Sequence, residues 1–262
     1  VAAITIEGLS KRYPTGTQAL DGIELAVADA EFVALVGPSG CGKSTLLRIM
    51  AGLDEASSGT VTITPRVVAS SNAPGIGGAG GGAVFNALPS AMVFQEPALF
   101  PWMRVAENVA FAFDRLQLSA SEVRRRVDTM LERVGLTAFA HAFPHELSGG
   151  MRQRVAVARA FAVDAPVLFM DEPFAALDEQ TRVRMAGELG ALWERERRTV
   201  VFVTHGIEEA VTLADRIVVM SARPGRVRAI VPVDLPRPRD PIALRGTPAF
   251  AALVLRIWEL LA

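Results

Sequence analysis

The sequence is short of cysteine and tyrosine, has no excess charge of either sign, and contains no long apolar stretch. Its single cysteine, Cys41, excludes an intrachain disulfide and a multi-cysteine metal site. Lys and Arg number 27 against 28 Asp and Glu, a formal charge of −1, which argues against a nucleic-acid binder working through a basic surface. No uncharged apolar run reaches the roughly 18 residues that cross a bilayer. Residues 1–15 hold no apolar signal-peptide core, so a cytosolic chain is expected. Hydrophobic residues, by contrast, make up 50% of the 262 residues, and the mean hydropathy is +0.31. Such a chain is not disordered and requires a sizeable core. Its length suggests one or two domains.

Five continuous apolar runs organise the chain: Phe32 to Val36, Ala91 to Phe94, Val167 to Met170, Val200 to Val203 and Ile217 to Met220. Runs without alternation suit parallel strands covered on both faces. Four of them lead into Gly37, Gln95, Asp171 and Thr204-His205, which gathers polar groups at the carboxyl ends of the strands, where open α/β sheets bind ligands. Ile4 to Ile6, Ile23 to Val27 and Thr60 to Ile63 alternate instead and predict an antiparallel sheet with one wet face. Between Glu96 and Ala162 the pattern is helical. Ser119 and Glu122 stand in capping-box spacing, Val123, Val127, Met130, Leu131 and Val134 form a stripe, and Gly135 ends the helix. The Arg124-Arg125-Arg126 run on that helix reads as a solvated face rather than a nucleic-acid contact.

Two segments are compositionally odd. Residues 73–83 are mostly glycine and alanine, and Gly75, Gly77 and Gly80 match the spacing of a dinucleotide fingerprint. No strand precedes them and no amphipathic helix follows, so a flexible loop is the better reading. Val231 to Pro241 contains four prolines and reads as an extended connector. A last helix follows, capped by Thr247, with Pro248 in its first turn and Phe250, Leu253, Val254, Ile257 and Leu261 on one face.

The segment GPSGCGKST (Gly37, Pro38, Ser39, Gly40, Cys41, Gly42, Lys43, Ser44, Thr45) fits GxxxxGK[ST] between a strand and a helix. Its glycines let backbone N–H groups curl round phosphate oxygens at a helix start, Lys43 supplies a cation for the β and γ phosphates, and Ser44 offers a hydroxyl to Mg²⁺. Cys41 occupies a permissive position in this loop. Asp171, ending an apolar strand, supplies a second metal ligand, and its neighbour Glu172 is a candidate general base for the attacking water. In LSGGMRQR, Ser148 is an N-cap, Gly149 and Gly150 expose backbone N–H groups, and Met151, Val155, Ala158 and Ala162 share a helix face. One nucleotide has no use for two anion-binding helix starts from one chain. A head-to-tail dimer uses both.

With these motifs the sequence resembles the ATP-binding subunit of an ABC transporter over residues 1 to about 223. The resemblance rests on Tyr13 in KRYP, GPSGCGKST, Gln95 in VFQEP, LSGGMRQR, MDEP ending at Pro173, Ala176-Leu177-Asp178 and His205 in VTHG, in the family's order. It implies a P-loop NTPase α/β fold with a mainly parallel sheet, an N-terminal antiparallel β subdomain and an inserted helical subdomain. The implied division is a core of residues 1–95 and 164–223, a helical subdomain of 96–163 and an extension of 224–262, all within one nucleotide-binding domain. By resemblance, Tyr13 stacks on adenine, Gln95 senses Mg²⁺ and the attacking water, and Ser148, Gly149 and Gly150 bind the opposite ATP. Asp178 crosses the dimer interface and His205 contacts the γ-phosphate. The cofactors implied are ATP and Mg²⁺.

The partners implied are a second copy, transmembrane permease subunits and, indirectly, a solute-binding protein, with the chain peripheral on the cytoplasmic membrane face. Glu96 to Trp102 is apolar for a surface connector and is expected to form part of a groove for a membrane-subunit helix. MDEPFAALD resembles importers, and MSARPGRV with DLPRPRDP resembles the nitrate, sulfonate and taurine group, extending the likeness to about residue 241. One departure is Gly206, where importers usually carry Asp. Catalysis is expected to survive it because Glu172 and His205 remain, the alternative being that the change weakens hydrolysis. A DNA-maintenance ATPase of the SMC type would need a long coiled coil between phosphate loop and signature, an ABC translation factor would carry two cassettes, and a nucleotide kinase would lack the Ser-Gly-Gly cradle.

Overall fold

The structure, a computed structural model, describes residues 2–64, 90–114, 116–163 and 165–262. The glycine-rich segment 73–83 lies outside the described residues. Strands β1 (Ala2–Arg12), β2 (Gln18–Ala28) and β4 (Ser58–Ile63) form an antiparallel sheet in the order β2-β1-β4. Alternation shows in β2, where Ile23, Leu25 and Val27 are buried while Glu24 and Ala26 are exposed.

The main sheet has the order β5-β6-β7-β3-β8-β9, from β5 (Ser90–Val93), β6 (Val167–Asp171), β7 (Thr199–Val203), β3 (Phe32–Val36), β8 (Arg216–Met220) and β9 (Val227–Pro232). β5 through β8 pair in parallel, and β9 closes the edge antiparallel to β8. Every residue of β3, β6 and β7 is buried. Phe32, Ala34 and Val36 join one apolar cluster, whereas Val33 and Leu35 join another, so the pleat feeds two layers and no residue of the run can be polar. One layer consists of α1 (Lys43–Met50) and the antiparallel sheet. The other includes α5 (Glu179–Glu196), α6 (Ile207–Leu213), α7 (Pro241–Arg245) and α8 (Pro248–Leu261).

The sequence pattern puts Val231 in a connector, but the structure places Val227–Pro232 in the sheet as β9. Beyond it, Arg239 donates to the carbonyls of Ala214 at 2.7 Å and Val233 at 3.0 Å, and Arg237 binds Asp215 at 2.9 Å. These bonds pin the proline-rich segment to the core. α8 then packs as its pattern predicts: Thr247 accepts from the Phe250 N–H, and Phe250 and Ile257 are buried.

α2 (Val105–Ala110), α3 (Ala120–Arg133) and α4 (Gly149–Ala162) enclose a separate core containing Val105, Val127, Leu131 and Val155. Ser119 caps α3, while the Glu122 carboxylate turns outward to Arg126 at 2.8 Å instead of back to the cap. Arg124, Arg125 and Arg126 are exposed. α4 belongs to both cores: Val155, Ala158 and Ala162 face the helical one, and Ala156, Val157, Ala160 and Phe161 face the sheet.

Candidate nucleotide site

β3 delivers the chain into the loop that starts at Gly37, and α1 begins at Lys43. Gly42, at φ +100°, admits no side chain, because a Cβ would stand 2.7 Å from Leu20 Cδ2 and 2.9 Å from the Ala19 carbonyl. The Lys43 ammonium is nearly buried and donates to the carbonyls of Gly37 at 2.8 Å and Pro38 at 3.1 Å, which holds its charge inside the loop. One residue on, the Ser44 hydroxyl donates to Asp171 Oδ1 at 2.9 Å. The sheet therefore brings the loop hydroxyl and the β6 carboxylate together although 127 residues separate them. Burial pushes the Asp171 carboxyl up, the Ser44 bond opposes this, and neighbouring Glu172 adds to the rise.

Glu172 has a left-handed backbone, φ +47°, uncommon for a residue with a side chain. Its N–H donates to the Val203 carbonyl at 2.9 Å. Its carboxylate lies between two neighbours, Gln95 Nε2 at 3.3 Å and His205 Nε2 at 2.7 Å. The exits of β5, β6 and β7 thus converge on one carboxylate. Tyr13 stands over the start of α1, its hydroxyl 3.2 Å from Thr45 Oγ1 and its ring under the Lys11 ammonium.

These groups enclose a cleft of about 310 Å³ walled by Tyr13, Ser39, Gly40, Gly42 to Thr45, Glu172 and His205. A larger cleft of about 750 Å³ runs between α5, α6 and α8 and touches His205. The smaller one holds Lys43, Ser44 and Glu172, the residues from which the sequence leads one to expect the chemistry. Ser148, Gly149, Gly150 and Asp178 do not line it. Ser148 is exposed and caps α4 by accepting from the Met151 N–H at 3.3 Å. Gly150 packs against Leu177 so closely that a Cβ there would stand 2.6 Å from Leu177 Cδ2, so the start of α4 and the Ala176-Leu177-Asp178 turn are in contact. Asp178 caps α5 through the Thr181 N–H at 2.9 Å, and that backbone bond holds its exposed carboxyl below the usual carboxylate range.

Sequence reasoning missed the wall opposite Tyr13. Arg223 donates to the Gly40 carbonyl through Nε and Nη2, both at 3.3 Å, and lines the cleft. Gly225 presses so close to the loop that a Cβ would fall 2.0 Å from the Cys41 carbonyl oxygen. The RPG tripeptide is the signal, a cation and a glycine that begin three residues after the end of an apolar strand.

Residues 20–175 match the family described as ABC transporter. The chain belongs to the ABC transporter family. Over 256 residues this family member is 48% identical to a Brucella abortus biovar 1 protein described as ATP-binding, covering 98% of this chain and 92% of that one. It is 42% identical over 238 residues to the aliphatic sulfonates import ATP-binding protein SsuB of Bacillus subtilis, covering 91% and 85%. A solved dimeric ATP-binding cassette in a post-hydrolysis state, bound to ADP and Pi, superposes with a TM-score of 0.73 at 31% identity over 88% of this chain and 99% of that chain. The chain is an ATP-binding subunit of an ABC transporter, with importer subunits among its relatives. Among the described residues no helix is long and apolar enough to cross a membrane.

Proposed function

We propose that this subunit binds ATP with Mg²⁺, dimerises around two nucleotides and hydrolyses them to drive solute import through partner membrane subunits. The observation that carries the reading is the position of Glu172, adjacent to the Ser44–Asp171 pair and held by Gln95 and His205 at the rim of the phosphate loop. A carboxylate fixed there accepts the proton of the water that attacks the γ-phosphate. His205 Nε2 fixes its direction, and Gln95 positions the water. Lys43 and the N–H groups of the Gly37 to Thr45 loop hold the phosphates, while Tyr13 stacks on the adenine.

The Ser44 hydroxyl, the Asp171 carboxylate and the Gln95 amide make an oxygen donor set that suits Mg²⁺ with several retained waters. Held by Ser44, Asp171 and Gln95, Mg²⁺ would offset the negative charge that develops on the phosphates.

Dimerisation is supported by the exposed Ser148 and by Gly149 and Gly150 beyond the chain's own cleft, an anion-binding helix start suited to the opposite ATP, with Asp178 beside it to cross the interface. Phe100, Trp102 and Phe111 form an aromatic group in which Trp102 is 69% exposed. That group supports docking of a short helix from a permease, which would hold this subunit on the cytoplasmic membrane face. The likeness to a sulfonate importer supports nitrate-, sulfonate- or taurine-type anions as solutes, selected by the permease and an external binding protein. The test is Glu172→Gln with ATP and Mg²⁺. Light scattering should detect a stable dimer, and phosphate release should stop; unchanged hydrolysis would remove Glu172 from the role of base.

A further inference from the structure

Glu172 and His205 line two spaces. One is the nucleotide cleft, and the other is a cavity of about 300 Å³ whose remaining polar walls include Arg182, Thr204 and Glu209. Glu209, the third residue of α6, has no part in the reaction described above. Its Oε1 is buried without a partner, and its Oε2 accepts a hydrogen bond from the Thr204 hydroxyl. The same hydroxyl accepts from the Gly206 N–H at 2.9 Å. Thr204 precedes His205 and Gly206 follows it, so the two bonds brace the turn on both sides of the histidine. Gly206 has no side chain with which to cap α6. A Cβ at Gly206 would stand 3.2 Å from both Cβ and Oε2 of Glu209, so the Glu209 side chain occupies the space beside the turn.

We propose that Glu209 is a positioning residue for hydrolysis: through the Thr204 hydroxyl and the Gly206 amide it fixes the His205 turn, and with it the bond from His205 Nε2 to Glu172. This rests on the reading of Glu172 and His205 as the catalytic pair. Glycine at 206 gives the turn backbone freedom that the two bonds remove. The Glu172 carboxylate is held from two sides, by His205 Nε2 at 2.7 Å and Gln95 Nε2 at 3.3 Å, and the His205 contact is the shorter. Neutral or ionised, the Glu209 carboxyl keeps an oxygen that accepts from the Thr204 hydroxyl, and burial leaves little water to compete for that bond.

The chain has three histidines, so imidazole ¹⁵N labelling resolves His205 once a His205→Gln control assigns it. In the full nucleotide-free chain, Glu209→Ala and Thr204→Val should both move the His205 ring resonances. Glu209→Gln, whose amide oxygen still accepts from Thr204, should restore them. In steady-state kinetics the first two variants should lower kcat about tenfold, the effect of one lost hydrogen bond in the transition state, with KM for ATP within about twofold. Glu209→Gln should recover kcat. Parental His205 resonances in both Glu209→Ala and Thr204→Val, or a loss in Glu209→Ala that Glu209→Gln does not recover, would overturn the proposal. A parent chain that hydrolyses no ATP would instead strike the catalytic reading, because the resonance measurement needs no turnover.

Discussion

Glu209→Gln also isolates the energetic cost of one buried carboxyl. Loss of hydration is the largest influence on Glu209 and raises its pKa from 4.5 to about 7; the Thr204 hydroxyl and Arg182 oppose the rise, and Glu179 and Glu172 add to it. Below pH 4.5 the group is neutral in folded and unfolded chains, and folding keeps its full stability. Between 4.5 and 7 the unfolded chain releases its proton while the folded chain retains it, so stability falls as pH rises. Above 7 both forms are ionised and the loss is complete. At about 1.4 kcal/mol per pH unit, the interval from 4.5 to about 7 amounts to about 3 kcal/mol. Glutamine does not titrate, so subtracting the parent from the variant cancels the other groups. Urea unfolding of the nucleotide-free chain, read at half-unit steps from pH 5 to 8, should show the variant gaining on the parent by most of that amount before pH 7. A difference constant to within about 0.5 kcal/mol would refute the reasoning, because it would mean that the carboxyl titrates as if in water.

Trp102→Ala should leave fold stability within about 0.5 kcal/mol, as expected of an exposed side chain, while abolishing capture of the permease and transport; intact transport in liposomes would remove the aromatic group from docking. Gly225→Ala forces a methyl group against the Cys41 carbonyl, and it should lower stability by about 1–3 kcal/mol and weaken ATP binding. Denaturant titration and nucleotide titration check the two effects separately, and parental values in both would contradict the packing. Gly206→Asp adds a side chain against Glu209, so its steady-state ATPase should fall; a rise would show that the turn gains from an aspartate cap.

The strands legible in the sequence are those whose environment is uniform. β3, β6 and β7 lie between two apolar layers, so every position is apolar and the run announces itself. β9 is an edge strand in which Val231 is buried while Arg228, Ile230 and Pro232 are exposed. Its pairing with β8 is a tertiary fact that the local pattern does not contain. The site divides in the same way. The phosphate loop, Asp171 and Glu172 sit in short segments whose chemistry can be read residue by residue, whereas the role of His205 comes only from the resemblance. The contact of Gln95 with Glu172 spans 77 residues, and the contact of Arg223 with Gly40 spans 183. Only the parallel order of β5, β6, β7, β3 and β8 brings those exits side by side. Glu209 was illegible for another reason. A glutamate in the first turn of a helix ordinarily faces water near the helix dipole, and only the packing around Thr204 shows that this one does not.

α4 shows how these parts act as one body. It starts at the Ser148-Gly149-Gly150 cradle and buries opposite faces in the sheet core and the helical core, so it is fixed to both. In its second turn, Gln153 Nε2 donates to the Phe94 carbonyl at 3.1 Å, immediately before Gln95. Six residues further on, Arg159 donates to the Ala98 carbonyl at 2.6 Å, and its guanidinium lies 5.4 Å from the centre of the Phe100 ring. The segment from Gln95 to the exposed Trp102 is therefore held by the helix that begins with Gly149 and Gly150, the glycines proposed to bind the opposite ATP. In the proposed dimer, a nucleotide from the second copy that displaced the Ser148 end would pass the shift to Gln95 and to the aromatic surface, because a helix buried on both faces has little slack with which to absorb it.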